Sequence, residues 1–349
     1  MADNPSFRRH PHPFSIDLVR WLPSSATSPS GRLLAAAVHD PSAASSYIHL
    51  LPLADPSSPL ASLPLPSRAT ALRCSPSALA ATTSTGSLHL APLSSFDAGA
   101  AVAVSGGAGF HVGSVRGLDC GGVEWVTAGE DGRVHVIGGG GDGRVVARRV
   151  WDGKGMAGYE AAKWASPAEF ATGGAGCGVQ WWDQRKGDAP VTQCSGIWGR
   201  GLVAGMVHSI DIHPSRKHIC VVGGSSGTIF AWDLRWPQQP IPLSGIGLHG
   251  TVQPVCESEV WEVLFDTYTQ SSDIVSSTSA RILPVMICSE DGILAVVGQG
   301  DERPLELLAE PCAINSFDID TQNPSDVVCA LEWESIGVLT RGRDAMAEE

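Results

Sequence analysis

The stretch VHSIDIHPSRKHICVVGGSSGTIFAWDLR, residues 207–235, contains the pattern that decides the fold. Its apolar residues predict a first strand at 207–212, which ends at His213-Pro214 because proline cannot donate a hydrogen bond to a strand ladder. A second strand is predicted at 218–222, and a third at 228–233 follows a glycine-rich turn. The stretch therefore predicts three short antiparallel strands of one small sheet.

The apolar pattern of the third strand recurs seven times along the chain. In each copy a small or polar residue opens the strand, an aliphatic residue follows two positions later, and an apolar residue follows four positions later. The openings lie 40 to 65 residues apart, which is typical of the four-stranded blades of a propeller. They are Ser46, Gly86, Gly132, Cys177, Gly227, Gly292 and Glu334. We therefore expect an all-β fold, a seven-bladed β-propeller.

First strands also recur seven times, so residues 1–341 are predicted to form one domain. The blades are expected near 15–66, 69–106, 114–150, 159–196, 207–243, 259–310 and 314–341. Residues 342–349 form a polar tail. The seventh unit lacks an obvious fourth strand, which would leave a sheet edge unpaired. We expect residues 6–12 to supply this strand and close the ring.

Hairpin turns are predicted between the second and third strands. Asp131-Gly132 indicates a type I′ turn, because both residue types tolerate a positive φ, and the sixth unit repeats the dipeptide. The predicted turn residues are Gly86, Asp131, Gly132, Gly227, Asp291 and Gly292.

Composition argues against several classes of protein. The formal charge of −13 disfavours direct nucleic-acid binding, which needs a basic surface. No run of about eighteen apolar residues is present, so no membrane insertion is expected. The nine cysteines include no close pair, which disfavours zinc ribbons and redox dithiols and indicates free thiols.

Three patterns with catalytic or ligand-binding precedents have structural explanations instead. Residues 223–227 match G-x-S-x-G, but a hydrolase elbow needs a helix after Ser225, and a strand is predicted there. His49, His89 and His135 occupy equivalent third strands, yet zinc ligands must converge on one ion, so we expect each to meet a polar partner between blades. The glycine-rich stretches 138–143 and 173–176 could in principle cradle a phosphate. A phosphate site needs a helix directly after the loop, and strand-like sequence follows both stretches. We expect no catalytic residue, cofactor or metal site.

The dipeptides Trp182-Asp183 and Trp232-Asp233 end two of the third strands, and these units resemble WD40 repeats. The other five units lack the dipeptide, and the His–Asp network of strongly patterned WD40 repeats is mostly absent from the sequence.

Residues 207–319, including SEVWEVLFDT, ICSEDGILAVV and PCAINSFDID, resemble the family of small WD-repeat nucleoporins of about forty-three kilodaltons. The family belongs to the Y-shaped outer-ring subcomplex of the nuclear pore. The resemblance implies a non-enzymatic scaffold at the nuclear envelope, a monomeric subunit bound to an α-solenoid nucleoporin and other outer-ring subunits. It would support pore assembly, protein transport and mRNA export.

Partner contacts are expected in the connections rather than the strands. Trp198 and Trp236 lie in connections and are candidate anchors, together with the neighbouring Arg200. Arg185 and Arg235 end two W-D-x-R tetrapeptides, which resemble the box that docks some WD proteins onto a cullin–RING ubiquitin ligase. A substrate receptor of such a ligase is therefore the alternative function. The strand tryptophans Trp181, Trp182, Trp232 and Trp261 are expected in the core.

Overall fold

The computed structural model describes residues 5–23, 31–98, 102–104, 109–139, 145–176, 178–194, 205–238, 240–243, 254–269, 282–301 and 303–342. Within these ranges the chain forms seven four-stranded antiparallel sheets and two short 3-10 helices, Leu93–Ala98 and Ser225–Gly227. Neither helix is long and apolar enough to cross a membrane. The fold is all-β, with the seven-bladed propeller arrangement that the repeat predicts.

The first strand of the chain, β1 (Ser6–Pro11), belongs to the last blade. Blade 1 contains β2 (Ser15–Trp21), β3 (Leu33–Asp40), β4 (Ser45–Pro52) and β5 (Ala61–Leu65). Blade 2 contains β6 (Ala69–Cys74), β7 (Ala78–Thr83), β8 (Leu88–Pro92) and β9 (Val102–Val104). Blade 3 contains β10 (Val115–Cys120), β11 (Trp125–Gly129), β12 (Arg133–Gly139) and β13 (Val145–Asp152).

Blade 4 contains β14 (Gly158–Ser166), β15 (Glu169–Ala175), β16 (Gly178–Asp183) and β17 (Thr192–Cys194). Blade 5 contains β18 (Val207–Ile212), β19 (Ile219–Gly224), β20 (Ile229–Asp233) and β21 (Pro240–Pro242). Blade 6 contains β22 (Val260–Phe265), β23 (Val285–Ser289), β24 (Ile293–Val297) and β25 (Leu305–Ala309). Blade 7 contains β26 (Ile314–Ile319), β27 (Asp326–Leu331), β28 (Ser335–Thr340) and β1.

The N-terminal strand closes the ring. β1 pairs antiparallel with β28 in a register that places Phe7 opposite Leu339 and His10 opposite Ile336. This confirms the expected closure, in which the first residues of the chain supply the outer strand that the C-terminal unit lacks. The two ends of the sequence therefore share one sheet, and no partial blade is left open at the junction.

The expected type I′ turns are wrong. Gly132 and Gly292 have φ of +74° and +81°, but neither Asp131 nor Asp291 is among the residues with positive φ. The amide of Gly132 donates to the carbonyl of Gly129 at 3.1 Å, which closes a four-residue turn. In this turn Asp131 has a negative φ and only the glycine after it is left-handed. A Cβ added at Gly132 would lie 2.7 Å from the carbonyl oxygen of Ala157, so this close approach is a second reason, besides the positive φ, why the position requires glycine.

Hydrophobic clusters lie between neighbouring blades. At the closing junction Ile16 and Val19 of blade 1 pack with Val328, Ala330 and Ile336 of blade 7, and all five are at most 1% exposed. Because each blade buries apolar side chains against the next, the blades stabilise one another rather than folding as independent sheets.

Polar contacts repeat along the inner strands and fix the blades to one another. The carboxylates of Asp119, Asp211 and Asp318 each accept a hydrogen bond at 2.8 Å from a backbone amide of the next blade's inner strand. The donors are Trp164, Phe265 and Trp21, which occupy equivalent positions. Blades 3, 5 and 7 are therefore bonded in the same way to blades 4, 6 and 1.

Candidate partner-binding surface

The antiparallel strand order assigns the turns to two faces of the disc. Turns that join the first to the second strand and the third to the fourth strand emerge on one face, which we call the WD face because residues 184–191 and 234–238 lie there. Hairpins between the second and third strands, and the connections between blades, emerge on the other face, which we call the hairpin face.

The candidate contacts Trp198 and Arg200 lie outside the described residues. Trp236 is described, and its side chain is displayed on the WD face of blade 5, with the residue 71% exposed. Its backbone amide donates to the carbonyl of Asp233 at 2.7 Å, which fixes the turn that carries the indole. Trp236 is thus a large apolar side chain held in solvent by an ordered backbone.

Arg235 is held by the aspartate of its own W-D-x-R tetrapeptide. Its Nε donates to Oδ1 of Asp233 at 2.9 Å, and its Nη2 donates to Oδ2 at 2.6 Å. The side chain of Asp233 is 16% exposed, whereas that of Arg235 is 63% exposed. This bidentate pairing lowers the pKa of Asp233 and places the guanidinium outward.

Arg185 has the same geometry on the adjacent blade 4. Its Nε lies 2.8 Å from Oδ1 of Asp183, and its Nη2 lies 3.0 Å from Oδ2. The Arg185 side chain is 66% exposed, and its Nη2 also approaches Oε1 of Glu169 at 3.4 Å. The WD face of blades 4 and 5 therefore presents two guanidinium groups with fixed orientation.

Exposed apolar side chains also occur in turns of the same face on neighbouring blades. Val123 of blade 3 is 87% exposed and Val191 of blade 4 is 38% exposed, and both lie in turns of the WD face, as does Trp236 of blade 5.

The strand tryptophans lie largely in the core. Trp181, Trp182 and Trp232 are 8%, 1% and 0% exposed, and Trp182 stacks on Phe170 with ring centroids 5.8 Å apart. Trp261 is half-buried, and its Nε1 donates to Oε2 of Glu290 at 2.6 Å on the hairpin face. Among the described residues the two most exposed tryptophans, Trp236 and Trp333, lie in turns.

Blade 3 contains a His–Asp network that the sequence analysis missed. His111, in the connection before β10, bonds Oδ1 of Asp131 at 3.0 Å and Oγ1 of Thr127 at 2.9 Å. His135 lies next to it, with Nδ1 at 3.3 Å from Nε2 of His111, and burial lowers the pKa of His135 to about 3. The sequence signal that could have predicted this network is His111, a histidine twenty residues before Asp131, the aspartate of the hairpin turn.

The other two strand histidines also have polar neighbours. Nδ1 of His49 lies 3.4 Å from Nε2 of His12, and Nε2 of His89 lies 3.0 Å from Oγ of Ser87. Among the described residues no group of three or more His, Cys, Asp or Glu side chains is placed to hold a metal ion. Ser225 begins the short 3-10 helix Ser225–Gly227, which leads into the strand β20 and not into an α-helix, and its Oγ accepts a hydrogen bond from the amide of Met206 at 2.8 Å.

The inner strands enclose a channel with a cavity of about 100 Å³. Arg20 and Arg73 both bond the carboxylate of Glu262, with Arg20 Nη1 at 3.1 Å from Oε2 and Arg73 Nη1 at 3.2 Å from Oε1. Lys163 pairs with Asp211 at 3.1 Å. These charges are paired between blades, so they contribute to ring closure.

The hairpin face of blade 7 also displays an exposed tryptophan, but its sequence neighbours are acidic. Trp333 is 56% exposed and stands between the exposed residues Glu332 and Glu334. Trp333 and Trp236 are both exposed large aromatic side chains, but they lie on opposite faces, Trp333 between two glutamates and Trp236 next to Arg235.

No protein-family model matches the chain. Comparison with individual proteins finds similarity to the nuclear pore complex protein NUP43 of Arabidopsis thaliana, with 49% identity over an alignment of 372 positions that covers 98% of this chain and 99% of the relative. Nucleoporin Nup43 of mouse is 28% identical over 51% of this chain and 40% of its own length, and that of human is 27% identical over the same shares. With its seven closed blades and near full-length match to a nuclear pore protein, the chain belongs to the Nup43 family of nucleoporins.

Proposed function

We propose that this nucleoporin is a non-enzymatic scaffold subunit of the Y-shaped outer-ring subcomplex, bound to an elongated α-helical nucleoporin. The observation that carries the proposal is the closed ring itself, in which β1 completes the sheet of β26–β28 and polar contacts join the blades. A rigid disc with turns displayed on both faces is suited to being held by other proteins. Through pore assembly such a subunit would support protein transport and mRNA export.

Localisation and co-purification test this role. The full chain, tagged and expressed in Arabidopsis thaliana plants that lack their own NUP43, should give a fluorescent nuclear rim. It should also co-purify with outer-ring nucleoporins from nuclear envelopes, whereas the free tag should do neither. A diffuse signal without pore proteins would contradict the proposal, and co-purification with other pore subcomplexes alone would contradict the outer-ring assignment.

A second candidate function is supported by the two exposed W-D-x-R arginines. A substrate receptor of a cullin–RING ubiquitin ligase would use Arg185 and Arg235 to dock onto the ligase adaptor. Replacing both residues with glutamine should then abolish capture of the adaptor while the nuclear rim stays unchanged. Equal recovery of the adaptor by the wild type and the double variant would remove this candidate.

A further inference from the structure

We propose that the WD face of blades 4 and 5 binds an acidic segment of a pore protein, with Arg235 and Arg185 each holding a carboxylate and Trp236 packing against a large apolar side chain of that segment. The inference rests on the proposed scaffold function and names the surface and the chemistry through which it is held.

The guanidinium of Arg235 keeps one edge available to a partner. A guanidinium has a side edge formed by Nε and Nη2 and an end edge formed by Nη1 and Nη2. Asp233 occupies the side edge of Arg235, with both bonds between 2.6 and 2.9 Å. Among the described residues no acceptor bonds Nη1 of Arg235, so its end edge remains available for a second bidentate carboxylate.

These guanidinium groups are held in place before a partner binds. Oδ1 of Asp233 also accepts the backbone amide of Arg235 at 3.0 Å, and Oδ1 of Asp183 accepts that of Arg185 at 3.0 Å. Each arginine is therefore tied to its turn at both backbone and side chain. A side chain that is already ordered loses little conformational entropy when a partner binds.

The charges of these two turns favour an acidic partner. The chain carries a formal charge of −13, but the aspartates of these two turns are largely covered and the arginines project outward. A carboxylate can gain a charge-assisted pair with the open edge of such a guanidinium, whereas a basic segment cannot. Glu169 lies 3.4 Å from Nη2 of Arg185, so Arg235 is the less obstructed of the two forks.

The surface also has an apolar component. Trp236 directly follows Arg235 and is 71% exposed, and Val191 in the neighbouring turn is 38% exposed. Tryptophan and arginine are the residue types most often found as binding anchors. The surface thus fits a segment that combines carboxylates with large apolar side chains.

Photo-cross-linking in intact nuclei tests the inference. p-Benzoylphenylalanine is introduced at position 236 of the tagged full chain, and at position 333 as the matched control on the hairpin face. Mass spectrometry should identify adducts from position 236 with a pore protein, in a peptide that contains at least two aspartate or glutamate residues.

The arginine variants complete the test. Replacing Arg185 and Arg235 together with glutamine should reduce the adduct at position 236 by about tenfold or more, and Arg235→Gln alone should reduce it more than Arg185→Gln. Arg235→Lys keeps the charge but not the fork, so it should give an intermediate yield. Adducts from position 333 should change by less than about twofold in the double variant.

Three results would overturn the inference: adducts from position 333 only, an adduct at position 236 that the arginine variants leave unchanged, or an adduct with a ligase adaptor. A thermal melt of each purified variant within about 2 °C of wild type shows that folding is retained. A nuclear rim without these adducts would refute the proposed binding surface and leave the scaffold function standing. The absence of a nuclear rim for the wild-type chain would refute the scaffold function itself.

Discussion

Oδ2 of Asp318, in the last blade, accepts a hydrogen bond at 2.8 Å from the backbone amide of Trp21, in the first blade. The indole Nε1 of Trp21 in turn donates to the carbonyl of Asp318 at 3.2 Å. Residues almost three hundred positions apart are thus joined reciprocally at the junction where the propeller closes. Equivalent carboxylates at Asp119 and Asp211 make the same bond to the next blade.

Removing the closing carboxylate should destabilise the ring. Asp318→Ala leaves the amide of Trp21 without its acceptor, and we expect a loss of about 1–2 kcal/mol in the free energy of unfolding. Urea denaturation measures the loss, with the exposed Asp188→Ala as the control expected to stay within about 0.5 kcal/mol. Equal stability of the two variants would show that this bond does not contribute to closure.

The N-terminal strand should be needed for solubility. Deleting residues 1–11 removes β1 and exposes the edge of β28, which is a template for pairing with other chains. We expect a lower melting temperature and aggregation visible by light scattering at micromolar concentration, whereas deletion of residues 1–4 should have neither effect. A monodisperse protein without β1 would mean that closure does not depend on this pairing.

Stability should fall as the pH is lowered from neutrality. Burial lowers the pKa of His135 to about 3 and that of His49 and His213 to about 4, so these rings stay neutral in the folded chain. The unfolded chain takes up protons below pH 6.5, and each buried ring therefore costs up to about 1.4 kcal/mol per pH unit between pH 6.5 and about 4.

Asp318 acts in the opposite direction over part of this range. Burial raises its pKa to about 6, so its contribution is present at low pH and lost as the pH rises through 6. Because the three histidines together outweigh the one carboxylate, the urea concentration at the midpoint of unfolding should be lower at pH 5 than at pH 7. His135→Gln should make that decrease smaller, and a midpoint unchanged between the two pH values in the wild type would contradict the assignment.

The buried and half-buried thiols that the structure describes should react slowly in the native state. Burial raises the pKa of Cys74 and Cys329 to about 12 and that of Cys120 to about 11, so none is a thiolate at neutral pH. Iodoacetamide at pH 8 should modify the half-buried Cys74 and Cys120 before the fully buried Cys329, and all nine cysteines should react in urea. Rapid native modification of Cys329 would contradict its buried environment.

The sequence was sufficient for the architecture because its signal is local and repeated. Apolar residues two positions apart in each third strand, and glycine at the hairpins, follow from strand periodicity and turn sterics, which act over a few residues. The missing fourth strand of the last unit similarly indicated a role for the first residues of the chain, and β1 has that role.

Only the tertiary structure decided which polar residues meet. That Asp318 bonds Trp21, or that Arg20 and Arg73 share Glu262, depends on the angle and register between blades, and these arise from packing over the whole ring. The same reason explains why the sequence could name Arg185, Arg235 and Trp236 but could not assign them to one face. The repeat determined the number of blades and their closure, whereas the orientation of each exposed side chain was set by the turn geometry and the folded disc around it.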